Sequence, residues 1–386
     1  MSRRVQILLI EHDEVDHLYP FSELHCSWEL RVGRYSILER WQVVAHDCNV
    51  TVTSDRGNHV RSFLEREPST HPFEALPTLA IAGHVLLAPS VMRQLIDLCS
   101  ASDVPIAVFC GGSTIGSFMP APVATPGELA TALDHVDSAY PEHVTVQGHR
   151  IERLWQAIDH ITDGIQWDAS LTQTLVDSSA RIHPSAVIDE THGPVLICEG
   201  AIIEPLAVIS GPAVIGPSST VRPHADIKHS VIGPGCKVGG EIEESILQGW
   251  SNKQHLGFLG HSYICEWVNL GAGTTNSDLK NTYGHVHVTM PWGREDTQRM
   301  FVGLLMGDHS KSAIGTQFLT GTVCGVSSNV VSTGFPPQSI PSFRWLDTSY
   351  DVDKAVSVAK TVMQRRSNVL GESTEQLLRE CAQGEA

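Results

Sequence analysis

Two polar, glycine-rich stretches of this 386-residue chain hold side chains able to do chemistry. Residues 249–261 contain His255, in the run Ser-Asn-Lys-Gln-His-Leu-Gly-Phe. Residues 273–300 contain Asn276, Lys280, His285 and His287, and Asn269 stands just before them. An imidazole changes charge near neutrality, so His255 is suited to take a proton from an attacking nucleophile. The plain alternative is a histidine in a turn. Arg222 and Lys280 read equally as ligand contacts or as solvated charges, and Lys311 reads first as a turn residue. A further run, Glu11-His-Asp-Glu-Val-Asp16, gathers carboxylates directly behind an apolar stretch. Glu243 and Glu244 place two anions at the edge of the first polar stretch.

The elements that must position these residues follow from a six-residue period. Aliphatic side chains recur at Ile197, Ile203, Ile209, Ile215, Val221 and Ile227. Small residues follow the first five by four, at Ala201, Ala207, Ala213, Ser219 and Ala225. Ile182 with Ala186 opens the series, and Ile232 with Cys236 continues it after a one-residue slip. A period of six fits neither the 3.6 of a helix nor the 2 of a half-buried strand. It fits a coil of short strands, one per hexad, each sending one large and one small side chain to a shared axis. Such a repeat buries its apolar face only by stacking, which predicts a solenoid over residues 179–345. The period returns at Ile264 and Leu270, and again at Ile314, Thr320 and Val326. The two polar stretches interrupt it, and an interruption in a solenoid projects from the surface.

Residues 1–178 alternate strand-like and helix-like segments. Strands are expected at 5–10, 49–53, 78–82 and 104–109, and helices at 36–44, 58–66, 89–99 and 151–161. This spacing favours an α/β domain with a mostly parallel sheet. Residues 113–126, rich in Pro, Ser, Gly and Thr, read as a loop. Residues 346–386 read as a helical tail with Asp351 as N-cap and an apolar stripe of Ala355, Val358, Ala359, Val362 and Met363.

Composition narrows the partners. A net charge of −17 argues against nucleic acid or an anionic membrane as the main partner. The start, Met-Ser-Arg-Arg, is followed by too short an apolar run for a signal peptide, and no stretch has the length of a membrane helix. Nine cysteines without a CxxC pair suggest a reduced, cytoplasmic setting. Cys236 and Cys324 are expected in the core.

Residues 251–281 resemble the acetyltransferase half of the bifunctional GlmU family. There a His precedes a Tyr by three places and a Val-Asn-Ile-Gly-Ala-Gly-Thr run follows. The likeness is closer to a divergent GlmU-like sugar nucleotidyltransferase group. Its segments His-x-Gly-Phe, Glu-Trp-Val-Asn-Leu-Gly-Ala-Gly-Thr-Thr and Gly-Asp-His-Ser-Lys all stand here, the last at residues 307–311. The resemblance covers residues 222–345 strongly. It implies a left-handed parallel β-helix, a homotrimer and an acyl-CoA co-substrate. It further implies His255 as general base, Arg222, Phe258, Asn269, Asn276 and Lys280 as contacts to an amino sugar or its phosphate, and Lys311 as a contact to the cofactor.

The N-terminal half resembles sugar nucleotidyltransferases through Leu18-Tyr-Pro-Phe and the run from Leu30 to Glu39. Their Gly-rich phosphate loop is replaced here by the acidic run after strand one, which marks a degenerate domain. Mg²⁺ belongs to the chemistry only if this domain is active. A phosphate cradle needs bare backbone N–H groups and a cation, and carboxylates offer the opposite. Arg31 and Arg34 are the candidates for compensating charge. The family's Lys-Lys pair at the sugar-phosphate site reads Glu243-Glu244 here, and Phe258 lacks the tyrosine hydroxyl. The implied function is acyl transfer within sugar-nucleotide metabolism. One alternative is a sugar-1-phosphate nucleotidyltransferase whose solenoid trimerises or regulates. The other is a non-catalytic scaffold that keeps its ligand pockets.

Overall fold

The hexads build three columns of short parallel strands. In the computed structural model, which describes residues 4–11, 13–133, 140–345 and 347–384, each coil contributes one strand to each column. The first face runs through Arg181–Ile182, Ile202–Ile203, Thr220–Val221, Lys237–Val238 and Asn252–Lys253. The second runs through Val187–Asp189, Val208–Ser210, Asp226–Lys228, Glu241–Glu243 and Phe258–Gly260. The third has eight strands, from Val195–Ile197 to Ser339–Ile340. Every pairing along these columns is parallel, with each hexad opposite its counterpart one coil on. This is a parallel β-helix. Its axis is lined by Ile197, Ile203, Ile209, Ile215, Val221 and Ile227, all within 1% of full burial. Each such side chain contributes about 1.5–3 kcal/mol by leaving water. Cys236 and Cys324 are fully buried in the same core.

The structure corrects the reading of the repeat in two places. Residues 249–261 do not project: Asn252–Lys253, Phe258–Gly260 and Tyr263–Ile264 form an ordinary coil in register with its neighbours. The period seemed to lapse because Lys253, 2% exposed, fills an interior slot that Val221 and Val238 fill below it. The later frame was misplaced as well. Ile314 is 81% exposed at a corner, and the interior residues are Ser312, Phe318, Cys324 and Val330, again six apart. Polar and sulfur-bearing side chains in those slots hid the period. The real projection is the arm from Ser277 to Gly303. Its two ends pair through Leu279 and Phe301, and it carries an antiparallel hairpin, His287–Met290 with Gly293–Asp296.

Turns between coils put non-glycine residues in left-handed backbone conformation. At one corner Trp250, Trp267 and His309 have φ of 56°, 60° and 59°. Trp250 and Trp267 stack at 5.2 Å with planes 5° apart. Two helices from the tail, Val352–Gln364 and Glu372–Gln383, cover this corner with Ala359, Met363, Leu377 and Leu378. Asp351 caps the first, accepting from Lys354 N at 2.9 Å. Arg366 donates to Gly235 O, Trp250 O and Asn252 Oδ1, tying the tail to coil edges.

The chain divides into two compact units. One holds residues up to His17, His25–Leu30 and Tyr35–Glu152; the other holds Leu18–Leu24, Arg31–Arg34 and everything from Arg153. In the first unit a six-stranded sheet is built from β1 (Gln6–Glu11), β2 (Asn49–Ser54), β3 (Thr78–Ala82), β4 (Ile106–Cys110), β5 (Ser113–Met119) and β6 (Glu142–Thr145). Their order is β2-β1-β3-β5-β4-β6. The expected loop over 113–126 is wrong at its start. β5 is a strand, antiparallel to both β3 and β4. Gly116 is what permits it, because a Cβ there would meet Ala80 O at 2.4 Å. The helices Ile37–Val44, Gly57–Arg66 and Pro89–Ala101 lie where expected. The expected helix over 151–161 instead begins at Gln156, breaks at His160 and resumes over Ile161–Ala169 in the second unit.

Candidate functional site

His255 sits at the corner between the first and second faces of its coil, exposed, between Lys253 and Phe258. Among the described residues its ring has no hydrogen-bond partner. The turn beneath it is held from inside. Lys253 Nζ donates to Gly239 O at 2.7 Å, His255 O at 3.1 Å and Gly257 O at 2.7 Å. An ammonium has three donors, and all three are used on this one corner. Burial pushes the Lys253 pKa down to about 8, with Glu241 opposing. Close packing fixes the same turn. A Cβ at Gly257 (φ 126°) would meet Thr274 O at 2.0 Å, and one at Gly240 (φ 73°) would meet His255 O at 2.8 Å.

The other expected site residues divide into two groups. Arg222 follows the first-face strand Thr220–Val221, so it shares the corner with His255, two coils away and about 10 Å by strand spacing. Gly239 fills the gap, since a Cβ there would touch both Arg222 Cβ and Gln254 O. The Arg222 guanidinium is paired with Glu204 at 2.9 Å. Phe258 opens the second-face strand directly after the corner.

The remaining four lie elsewhere. Asn276 is 5% exposed and bonded to backbone, accepting from Gly260 N and donating to Gly260 O, both at 3.0 Å. It clips two coils together. Asn269 is exposed on the outside of the first face and accepts from Asn252 Nδ2 at 3.3 Å. Lys280 lies at the base of the arm and donates to His285 O at 2.8 Å. Lys311 turns back onto His309 O at 2.7 Å, and burial pushes its pKa down to about 8.

The second face is charged in alternation. Asp226 pairs with Lys228 at 3.0 Å, and the next strand sets Glu241 and Glu243 opposite them. At the following corner His229 Nδ1 meets Glu244 at 3.0 Å, and His261 Nδ1 meets Asp278 Oδ2 at 2.8 Å. Sequence reading missed Lys253, His261 and Asp278. The first was legible as a charge in an interior slot. The last two are 17 positions apart, about one coil, which is the signal that neighbours on a solenoid leave in sequence.

In the first unit, Glu11 ends β1, where a phosphate loop would begin. Its side chain is buried and fully engaged. It accepts from Ser27 N, from Ser54 Oγ at 2.8 Å and from Arg56 Nε at 2.9 Å. The carboxylate thus takes the backbone N–H, the hydroxyl and the cation that a phosphate would need. Both of its oxygens are occupied, so it does not fit a Mg²⁺ ligand. Beside it, burial works against the Glu29 charge, but Arg66 at 2.7 Å and His25 at 3.1 Å hold its pKa down at about 2. Arg31, a candidate for compensating charge, belongs to the second unit and donates to Gln248 O at 3.2 Å.

With this geometry in view, similarity to known proteins takes on meaning. Residues 7–175 match the family described as sugar nucleotidyl transferase. The chain is 30% identical over 157 residues to a bifunctional sugar-1-phosphate nucleotidylyltransferase/acetyltransferase of Sulfurisphaera tokodaii, covering 40% of this chain and 37% of that one. It is 31% identical over 116 residues to the bifunctional protein GlmU of Rippkaea orientalis, covering 29% and 24%. For GlmU of Methanocaldococcus jannaschii the identity is 29% over 206 residues, covering 51% and 48%. In each case the match spans less than half of the relative. Among solved structures, the UDP-N-acetylglucosamine acyltransferase of Francisella novicida is matched at 12% identity and a TM-score of 0.25, over 53% of this chain and 90% of that one. That superposition is too loose to build on. Over these segments the chain is similar to GlmU proteins, with an α/β domain that matches the sugar nucleotidyl transferase family followed by a parallel β-helix and a helical tail.

Proposed function

We propose that this protein is a transferase of sugar-nucleotide metabolism whose β-helix moves an acyl group from an acyl-CoA to the amine of an amino sugar or its phosphate. The observation that carries this reading is the corner at residues 254–257. An exposed imidazole stands there on a turn held by three hydrogen bonds from a buried ammonium. Ordering a turn at that cost is reasonable where a side chain must be presented to a reactant. The family resemblance assigns His255 as the base there, with Arg222 and Phe258 beside it. Asn269, Lys280 and Lys311 are contacts only if a ligand reaches round the coil to them. The names of the relatives, which pair nucleotidylyl and acetyl transfer, support the reaction class. A homotrimer in the cytoplasm is the setting this reading expects. No described helix is long and apolar enough to cross a membrane.

A second reading places the activity in the α/β domain and leaves the β-helix as a trimerising element. The family match over residues 7–175 favours it. The engagement of Glu11 with Ser27, Ser54 and Arg56 weighs against it. The experiment is release of free thiol from a series of acyl-CoAs with a panel of amino sugars and their phosphates. Amine-dependent thiol release is expected. Its absence with every pair contradicts the proposal.

A further inference from the structure

We propose that the cavity beside the first tail helix is a second ligand site, built for an uncharged sugar ring. It is independent of the acyl-transfer reading, because no residue of the corner at 254–257 lines it. The cavity has a volume of about 540 Å³, inside the range of about 300–1,000 Å³ usual for small-molecule sites. Its floor is aromatic. The rings of Trp345 and Tyr350 stand 5.1 Å apart with planes 58° apart, an open V and not a closed stack. Trp345 is 43% exposed, and Val358 from the helix completes the apolar wall. Asp351, Lys354, Ser349 and Ser357 set polar groups around it.

The frame of the cavity is fixed by bonds that leave its lining groups to a ligand. Trp345 lies in the strand Arg344–Trp345, in register with Asn329, and pairs with Thr348. Thr348 Oγ1 donates to Trp345 O at 2.9 Å, and Tyr350 N donates to Phe343 O at 2.7 Å. The Tyr350 hydroxyl is bonded to the Asn329 side chain. Ala355 and Val356 are buried and pin the helix in place. The polar lining is differently placed. Asp351 uses one oxygen to accept from Lys354 N at 2.9 Å and keeps the other. Among the described residues, no intramolecular bond occupies Lys354 Nζ or Ser357 Oγ.

Three features select the ligand class. The face of an indole is negative and attracts C–H groups polarised by neighbouring oxygens, as on the flat side of a pyranose with equatorial hydroxyls. A carboxylate, an ammonium and hydroxyls together both accept from and donate to neighbouring sugar hydroxyls. The one anion and the one cation that line the cavity balance, so a phosphate gains little there. The helix N-terminus is no anion site either, because the Asp351 carboxylate already caps it and repels a second anion. A wholly apolar ligand would strip water from Asp351 and Lys354 without replacing it. A neutral ring, apolar on one face and edged with hydroxyls, satisfies all of these groups at once.

The test is saturation-transfer NMR with the full chain and methyl β-D-glucopyranoside. Transfer should be strongest to the ring C–H protons, with a Kd on the order of 1 mM, as a ligand of about thirteen non-hydrogen atoms allows. Trp345→Ala should weaken binding roughly tenfold or more. Ser357→Trp fills the cavity from the helix side without touching the coil, and should abolish binding at an unchanged thermal midpoint. His255→Ala should bind the sugar as the wild type does, which separates this site from the corner at residues 254–257. Glucose 6-phosphate should bind no tighter than the neutral sugar, and ADP should not displace it. The proposal is overturned by absence of transfer from the folded wild type, by transfer that survives both Trp345→Ala and Ser357→Trp, or by its loss in His255→Ala. Tighter binding of glucose 6-phosphate, or displacement by ADP, assigns the cavity to a phosphate or a nucleotide and overturns it as well. Thiol release decides acyl transfer separately.

Discussion

Buried ionisable groups decide much of this protein's behaviour one residue at a time. Glu23 accepts from Ser342 Oγ at 2.6 Å and from Val326 N at 3.2 Å, inside the second unit. Burial raises its pKa from 4.5 to about 7, partly offset by those two bonds. The folded state therefore holds a proton that the unfolded chain releases. The stabilisation is complete below pH 4.5 and is lost as pH rises through about 7. Glu23→Gln mimics the protonated form and removes that loss. Across this interval the wild type should lose about 3 kcal/mol relative to the variant, as read by urea denaturation at a series of pH values. Parallel stability curves for the two proteins would show that Glu23 is charged throughout.

At the scale of the element, one coil explains both the success and the failure of sequence reading. Aliphatic and small residues at fixed spacing made coils one to four legible, because a solenoid repeats its chemistry as well as its shape. The fifth coil repeats only the shape. Its interior slot holds Lys253, so a regular turn read as a lapse. Further on, Ser312 and Cys324 in interior slots let Ile314 pose as the repeat while standing at an exposed corner. β5 was lost for a related reason: Gly116 and its polar neighbours look like loop, and only the approach of β3 explains them. His255 was visible through its neighbours in sequence. The His261–Asp278 pair was not, because it forms across a coil. Lys253→Met tests how the corner is built. It leaves the carbonyls of Gly239, His255 and Gly257 without their donor, so stability should fall by about 1–3 kcal/mol in urea denaturation. Unchanged or higher stability would mean that the ammonium costs more than its bonds return.

For the whole molecule, the two halves have diverged by different amounts from the proteins they resemble. The β-helix keeps its stacked aliphatic frame and carries Glu241 and Glu243 on one face. The α/β domain has a six-stranded sheet, and at the end of its first strand Glu11 pairs with Arg56. The molecule should therefore release no pyrophosphate from nucleoside triphosphates with sugar 1-phosphates and Mg²⁺, a result that a coupled phosphate assay reads directly. Steady release would restore the nucleotidyl reading. The central claim, acyl transfer by the β-helix, is tested most directly by mass spectrometry of amino sugars incubated with the protein and acetyl-CoA. The account predicts an N-acetyl sugar that forms in step with free thiol and only in the presence of the protein. Unchanged sugar beside intact acetyl-CoA, for every amino sugar offered, would contradict it.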